Sequence, residues 1–315
     1  MQFQIKGLLV IGLFFPLFSF AEFVPGEVLV KFRQDRQIKD YGILSKLFEV
    51  NNGKIYRLKT EEGKELEKII ELKKDLNVVY AEPNYIRHIY ATPNDTYFND
   101  QWGLKMIEAD VAWDIEKGTE AVIIAITDTG IDYNHEDLKD KVVGSWSFVS
   151  TEPDPIDGND HGTHVAGIAA ASTDNGTGTA GLAWNCKILA VKVLDGNGYG
   201  DDAGCAKGIK YAADYGAKVI NMSWGSDEPS DMLKDAIDYA YNKGVLLVAA
   251  AGNDGSADKI YPGGYENVLA VAATNSSDKK AWFSNYGDWV DVAAPGQNIY
   301  STIPNNKYDS FSGTS

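Results

Sequence analysis

Cysteine is nearly missing from the 315-residue chain, with Cys186 and Cys205 its only two. That is too few for a disulfide framework, and their spacing is not that of a zinc site; they can form one bridge or stay free, and free thiols are the expectation. Positive charge is short as well. Twenty-nine Lys and Arg stand against 45 Asp and Glu, a net charge of −16, which excludes a nucleic-acid binder needing a clustered basic face. Long hydrophobic runs are confined to the first 21 residues, and no internal repeat or low-complexity tract follows. The remaining composition, 44% hydrophobic and 23% charged, is that of a globular protein and excludes a wholly disordered chain.

The opening segment places Lys6 ahead of an apolar stretch from Leu8 to Phe18, with Ser19 and Ala21 before Glu22. This reads as a secretory signal peptide over residues 1–21. The stretch is shorter than the roughly 20 residues a bilayer span requires, and Pro16 interrupts it. A secreted protein, extracellular or periplasmic and with no membrane attachment after cleavage, is therefore expected.

Charge then divides the chain. Residues 22–90 hold 12 acidic and 13 basic side chains, whereas residues 91–315 hold 33 acidic and 15 basic. The first part reads as a small α+β unit, with strands at 27–32, 54–58 and 77–80. A helical stretch through Ile38, Leu44, Leu47 and Phe48 and a Glu/Lys-rich helix from Lys64 to Lys74 complete it. From Thr92 onward, strands alternate with helices. The apolar runs at 121–126, 187–193, 217–220 and 245–249 are short and continuous, as strands buried on both faces should be. Helices from Asp202 to Tyr215 and from Ser230 to Lys243 each end at a glycine, Gly216 and Gly244. Such alternation predicts an α/β fold, a parallel sheet with helices on both faces and its chemistry at the carboxyl ends of the strands.

Four polar stations fall at or near such places. Asp128 follows the first strand of the second unit directly. His161 opens the small-residue segment His-Gly-Thr-His-Val-Ala-Gly, Asn253 follows the strand ending Ala-Ala-Ala-Gly, and Ser315 closes Phe-Ser-Gly-Thr-Ser. Each has an ordinary reading: a turn aspartate, an exposed helix start, a loop amide. His161 and His164 lack the glutamate of a zinc-protease string, and the glycines of Gly196-Asn-Gly-Tyr-Gly200 fall too early for a dinucleotide loop. No Gly-x-Ser-x-Gly elbow supports an esterase.

In the order acid, histidine, amide, serine, these stations resemble the motifs of the subtilisin-like serine proteases, and the similarity runs over residues 92–315. Residues 22–90 resemble that family's inhibitory propeptide, through Val24-Pro-Gly-Glu-Val-Leu-Val-Lys-Phe32 and the ending Val79-Tyr-Ala-Glu-Pro-Asn84. The resemblance implies a subtilisin-like domain over 91–315 preceded by a ferredoxin-like propeptide domain over 22–90. It implies a serine endopeptidase made as a zymogen, with Ser315 as nucleophile, His161 as general base and Asp128 as its orienting partner. Asn253 becomes an oxyanion donor. Asp160 stands where the family more often has a neutral residue, and its charge is expected to favour the His161 imidazolium.

By the same resemblance, an extended peptide or protein substrate adds as a strand between Gly198-Tyr199-Gly200 and Ser223-Trp224-Gly225, with Trp224 lining or narrowing the primary pocket. Structural calcium is implied at Asp95, Asp137, the Asn175 side chain and the backbone oxygens of Ser172, Thr177 and Thr179, a set of hard oxygen donors. A second acidic loop, residues 152–160, either holds another ion or is simply solvated. The implied partners are substrates and the chain's own propeptide, whose tail near residues 85–91 blocks the cleft; nucleic acid is excluded and a monomer is expected. The family's serine motif continues Met-Ala-x-Pro along a helix, so the sequence is expected to be an incomplete gene product. A product ending at Ser315 would instead suit a catalytically inactive binding protein on the same scaffold.

Overall fold

Residues 23–33, 42–50, 53–87 and 92–315 are described by the structure, a computed structural model. The signal-peptide segment, Ile38 and positions 88–91 of the expected propeptide tail lie outside them. The chain divides into two compact units, residues 1–89 and 90–315.

In the first unit, strands β1 (Phe23–Arg33), β2 (Ile43–Val50) and β3 (Gly53–Lys59), helix α1 (Glu65–Leu72) and strand β4 (Val78–Tyr85) follow in chain order. The strands form an antiparallel sheet in the order β2-β3-β1-β4. Alternate residues Val28, Val30 and Phe32 of β1 are buried, as a strand with one covered face requires, and they pack with Leu58, Ile69 and Leu72. Glu65 closes a turn at the helix start by accepting the Gly26 N–H at 2.7 Å and the Gly63 N–H at 3.1 Å.

The expected helix through Leu44, Leu47 and Phe48 is corrected to strand β2. Register shifts between Ile43 and Ser45 and between Lys46 and Phe48 break the alternation that marks a strand, leaving apolar residues at spacings that imitate a helix. The strand order β2-β3-β1-β4, all antiparallel, is that of a ferredoxin-like sheet.

The second unit begins with the short helices α2 (Trp102–Met106) and α3 (Ala109–Trp113). There follow β5 (Ile123–Asp128), β6 (Val142–Ser147), α4 (His161–Ala170), β7 (Lys187–Lys192), α5 (Asp202–Tyr215) and β8 (Val219–Met222). Then come α6 (Asp231–Asn242), β9 (Leu246–Ala250), β10 (Leu269–Thr274), β11 (Val292–Pro295), β12 (Ile299–Ile303) and β13 (Lys307–Phe311). Seven strands make a parallel sheet, ordered β11-β10-β9-β8-β5-β7-β6, and β12 pairs with β13 as an antiparallel hairpin.

Helices cover both faces. Ile209, Ala212, Leu233, Ile237 and Ala240 of α5 and α6 pack with Leu189, Val191 and Ile220 on one side, while Val165, Ala166 and Ala170 of α4 pack with Ile126, Ile188 and Ala190 on the other. The helix ends are those read from sequence. Asp201 and Ser230 cap α5 and α6 by accepting the N–H groups of Gly204 and Leu233, and Gly216 takes the left-handed conformation at φ 102°.

Chain order reverses at β5. The chain lays β7 and β6 on one side of it and β8, β9, β10 and β11 on the other, so the loops from β7 and β8 diverge above the carboxyl end of β5. A crevice belongs at such a switch point. Asp128 is the last residue of β5.

Candidate active site

Asp128 is fully buried, and its Oδ1 accepts both the Thr129 N–H at 2.7 Å and the imidazole Nδ1 of His161 at 2.8 Å. The other face of that ring meets Ser315, with Nε2 3.1 Å from Oγ. Glycine makes the approach possible: a Cβ at Gly162 would run into the Gly130 carbonyl and lie 3.1 Å from Asp128 Oδ1. His161 therefore starts α4 directly against the end of β5. Burial by itself disfavours the imidazolium, but the Asp128 charge and hydrogen bond, with the Asp157 charge behind them, hold His161 above the ordinary histidine value.

Asn253 lies just beyond β9 and is anchored through its carbonyl. Oδ1 accepts the Thr314 N–H at 2.9 Å and the Thr314 hydroxyl at 3.0 Å, so the amide nitrogen is the side-chain donor left over. Thr314 also binds the Gly252 N–H at 3.0 Å, and Gly313 donates to the Gly296 carbonyl at 2.9 Å. His161, Asn253, Gly313 and Ser315 line one open cleft of about 460 Å³. A base, a hydroxyl and an amide donor thus converge on one cavity, an arrangement suited to acyl transfer.

The second histidine of the motif does something else. His164 is buried, its Nε2 donates toward the carbonyls of Ile299 at 2.9 Å and Asp309 at 3.2 Å, and its ring stacks on Phe311 at 4.3 Å. Burial lowers its pKa to about 4, so it is a neutral brace between α4 and the hairpin.

Sequence reasoning missed Asp157 and Lys192. Asp157 Oδ1 accepts the Thr129 hydroxyl at 2.8 Å and the Asn159 N–H at 2.9 Å, while Oδ2 accepts the Thr163 N–H and hydroxyl. It stands in for the helix cap that Asp160, held at φ 91°, does not supply. The carboxylate acting on His161 from behind Asp128 is Asp157, which displaces the expectation for Asp160. Lys192 is fully buried and binds the Thr129 carbonyl at 2.5 Å and Glu152 at 2.9 Å. A lysine inside an otherwise apolar strand was the available signal.

The loop 152–160 is thus largely committed to protein donors. Glu152 pairs with Lys192 and accepts the Gly196 N–H at 3.0 Å, and Asp154 accepts the Tyr133 hydroxyl at 3.1 Å.

Segments Gly198-Tyr199-Gly200 and Ser223-Trp224-Gly225 leave the carboxyl ends of β7 and β8, the two neighbours of β5. Tyr199 is 77% exposed, and its N–H is held by Asp195 at 3.0 Å. Ser223 is buried, with its hydroxyl bound to Asn221 at 2.8 Å. Trp224 packs against the α5/α6 core and donates its indole N–H to the Thr127 carbonyl at 2.9 Å, which ties the ring to β5.

The residues implied for calcium gather around the loop after α4, with Asp95 reaching it from before α2 and Asp137 from between β5 and β6. Asp95 and Asp137 are both buried; Asp95 Oδ2 accepts the Asp174 N–H at 2.8 Å, and Asp137 binds Asn175 Nδ2 at 3.0 Å and the Thr179 N–H at 2.8 Å. Asn175 Oδ1 accepts the Thr177 N–H at 2.8 Å, and Ser172 donates its N–H to the Asp137 carbonyl. Burial holds both carboxyls above the ordinary aspartate value. Asp95 Oδ1 and Thr179 Oγ1 are buried with no hydrogen-bond partner among the described residues. Two desolvated carboxylates and unpaired buried oxygens are a donor set that fits a hard cation. Cys186 and Cys205 are free and buried.

Residues 119–315 match the subtilase family, and residues 19–84 match the fervidolysin N-terminal prodomain. The chain belongs to the subtilase family. It is 54% identical over 239 residues to a thermophilic serine proteinase of Bacillus sp. (strain AK1), covering 76% of this chain and 60% of that protein. It is also 54% identical over 225 residues to thermitase of Thermoactinomyces vulgaris, covering 71% of this chain and 80% of thermitase. Among solved structures, a protease of Pseudoalteromonas arctica superposes with a TM-score of 0.67 at 32% identity, over 71% of this subtilase and 83% of that chain. The subtilase unit thus follows a prodomain, and the parallel sheet is the family's own fold.

Proposed function

We propose that this subtilase is an exported serine endopeptidase, made as a propeptide-inhibited precursor with a signal peptide over 1–21, the propeptide over 22–90 and the catalytic domain over 91–315. The observation that carries the reading is the hydrogen-bonded series Asp128, His161, Ser315 ending in an open cleft beside Asn253. Ser315 Oγ attacks the peptide carbonyl carbon as His161 Nε2 takes its proton. Asp128 keeps Nδ1 protonated and stabilises the imidazolium. The Asn253 amide and the Ser315 N–H receive the oxyanion. His161 then returns the proton to the leaving amine, and a water molecule repeats the sequence on the acyl-enzyme.

Substrate lies as an added strand between the loops from β7 and β8, reading main chain more than side chain. Calcium supplies structural charge neutralisation at Asp95, Asp137, Asn175 and the carbonyls of Ser172, Thr177 and Thr179. The surplus of acidic side chains on residues 91–315 keeps an exported protein soluble. The prodomain supports intramolecular inhibition, and the leader supports export.

A serine-directed fluorophosphonate applied to the full-length protein tests the enzymatic reading. Labelling of Ser315, abolished by Ser315→Ala and by His161→Ala, is the expected result. An unlabelled, folded protein would point instead to a binding protein on a protease scaffold.

A further inference from the structure

The hairpin that leads to Ser315 is tied to the proposed cation site through one hydroxyl. Tyr308, on β13, places its Oη 3.1 Å from Asp137 Oδ2 and 2.9 Å from Glu136 Oε1. Its ring meets the edge of His135 at 5.1 Å and leans on Tyr97 at 5.0 Å. The loop that carries Asn175 and Thr179 closes over the same point. A Cβ at Gly178 would run into both Asp137 Oδ2 and the Tyr308 hydroxyl, so glycine there lets loop, carboxylate and phenol converge.

Both ends of β13 are gripped. At its start, Asn306 Oδ1 accepts the Glu136 N–H at 2.7 Å, and His135 Nε2 lies 3.1 Å from the Lys307 carbonyl. At its far end, His164 holds the Asp309 carbonyl and stacks on Phe311. Ser312 to Ser315 follow at once. A displacement of Asp137 is therefore passed to the strand from which the Ser315 segment runs, seven residues from Tyr308.

We propose that Tyr308 is a positioning residue that couples a hard divalent cation at Asp95 and Asp137 to the placement of the β13 strand and, through it, of Ser315. The inference rests on the cation reading of those carboxylates given above. A hydrogen bond from outside the ligand set fixes the orientation of a ligating carboxylate, and losing such a partner costs about 10–100-fold in metal affinity.

The test uses the full chain stripped with chelator and titrated with terbium, whose luminescence is sensitised by neighbouring tyrosines. Tyr308→Phe should weaken terbium binding about 10–100-fold. Tyr300→Phe, which alters a hairpin ring that packs on Tyr97 at 5.4 Å, should shift it by less than about twofold. In parallel, hydrogen exchange of amides 307–311 should slow when calcium is added to the unaltered chain, and that response should be lost in Tyr308→Phe. Equal terbium affinity in Tyr308→Phe, or an exchange response that survives the substitution, overturns the coupling while leaving the cation site standing. No terbium or calcium binding by the unaltered chain removes the cation site and the coupling with it. Should Tyr308→Phe fail to fold, calcium-independent exchange at 307–311 in the unaltered chain still refutes the proposal.

Discussion

Asp157 and Thr163 are joined twice, the backbone N–H at 2.9 Å and the side-chain hydroxyl at 2.6 Å both donating to Asp157 Oδ2. Through its other oxygen Asp157 also holds the hydroxyl of Thr129, the residue after Asp128. One buried carboxylate thus ties the start of α4, which carries His161, to the end of β5, which carries Asp128.

Asp157→Ala leaves buried donors unpaired and should cost about 1–3 kcal/mol of stability. A urea midpoint measured on the folded variant checks this. Asp157→Asn removes the charge, so it should move the His161 pKa down, whereas Asp160→Asn should leave it in place; imidazole NMR titration distinguishes the two.

The pH profile follows from His161 itself. The base must be neutral to accept the serine proton, and its folded pKa lies above the ordinary value of 6.5. Activity should therefore be full above that raised value and fall as pH drops through it, with the acidic limb of kcat on the alkaline side of 6.5. The same shift contributes stability that is fully present below the unfolded pKa and lost as pH rises through the folded one. A kcat–pH series on a soluble peptide reads the first effect.

Asp128→Asn should preserve the fold, because the amide oxygen can still accept the Thr129 N–H, yet it leaves the imidazole in the wrong tautomer. A loss of about 10⁴-fold in kcat is expected. Circular dichroism alongside steady-state kinetics separates this from unfolding.

Asn253→Ala should lower kcat by about 10²–10³-fold with little change in KM, the cost of one oxyanion donor. Asn253→Asp keeps an acceptor for Thr314 but removes the amide donor, so it should be no more active than the alanine variant. Comparable kcat in Asn253→Asp and the unaltered protein would defeat the assignment.

Chelation should lower thermal stability, because Asp95 and Asp137 are then left as buried, mutually repelling carboxylates. Differential scanning calorimetry with and without calcium measures it. Asp137→Asn should abolish most of the calcium-dependent rise in Tm.

Much of the sheet was legible because a two-sided buried strand leaves a continuous apolar run. The four such runs became β5, β7, β8 and β9, shifted by a residue or two. Strands β6 and β11 carry half-buried or exposed residues and no such run, while β10 has a short alanine-rich run that is absent from the four expected strands. In β2 the bulges disturb the alternation of a strand and leave the apolar spacing of a helix. At the site, Asp128, His161, Asn253 and Ser315 could be found as motifs. Asp157 could not be separated from its acidic neighbours, since the five carboxamide or carboxylate side chains of loop 152–160 look alike until one of them is seen to bind Thr129 and Thr163.

The local pattern of apolar runs, helix caps and polar residues at strand ends by itself determined that this chain forms a parallel α/β sheet and which residues stand at its carboxyl edge. Such signals are read within a few residues, where hydrophobic period and backbone hydrogen bonding act. Only the tertiary structure decided that His161 points at Ser315 and His164 does not, that Trp224 turns its indole into β5, and that Tyr308 meets Asp137. Each of those depends on contacts between residues 97 to 171 positions apart, whose geometry is set by how the layers pack and not by any spacing along the chain.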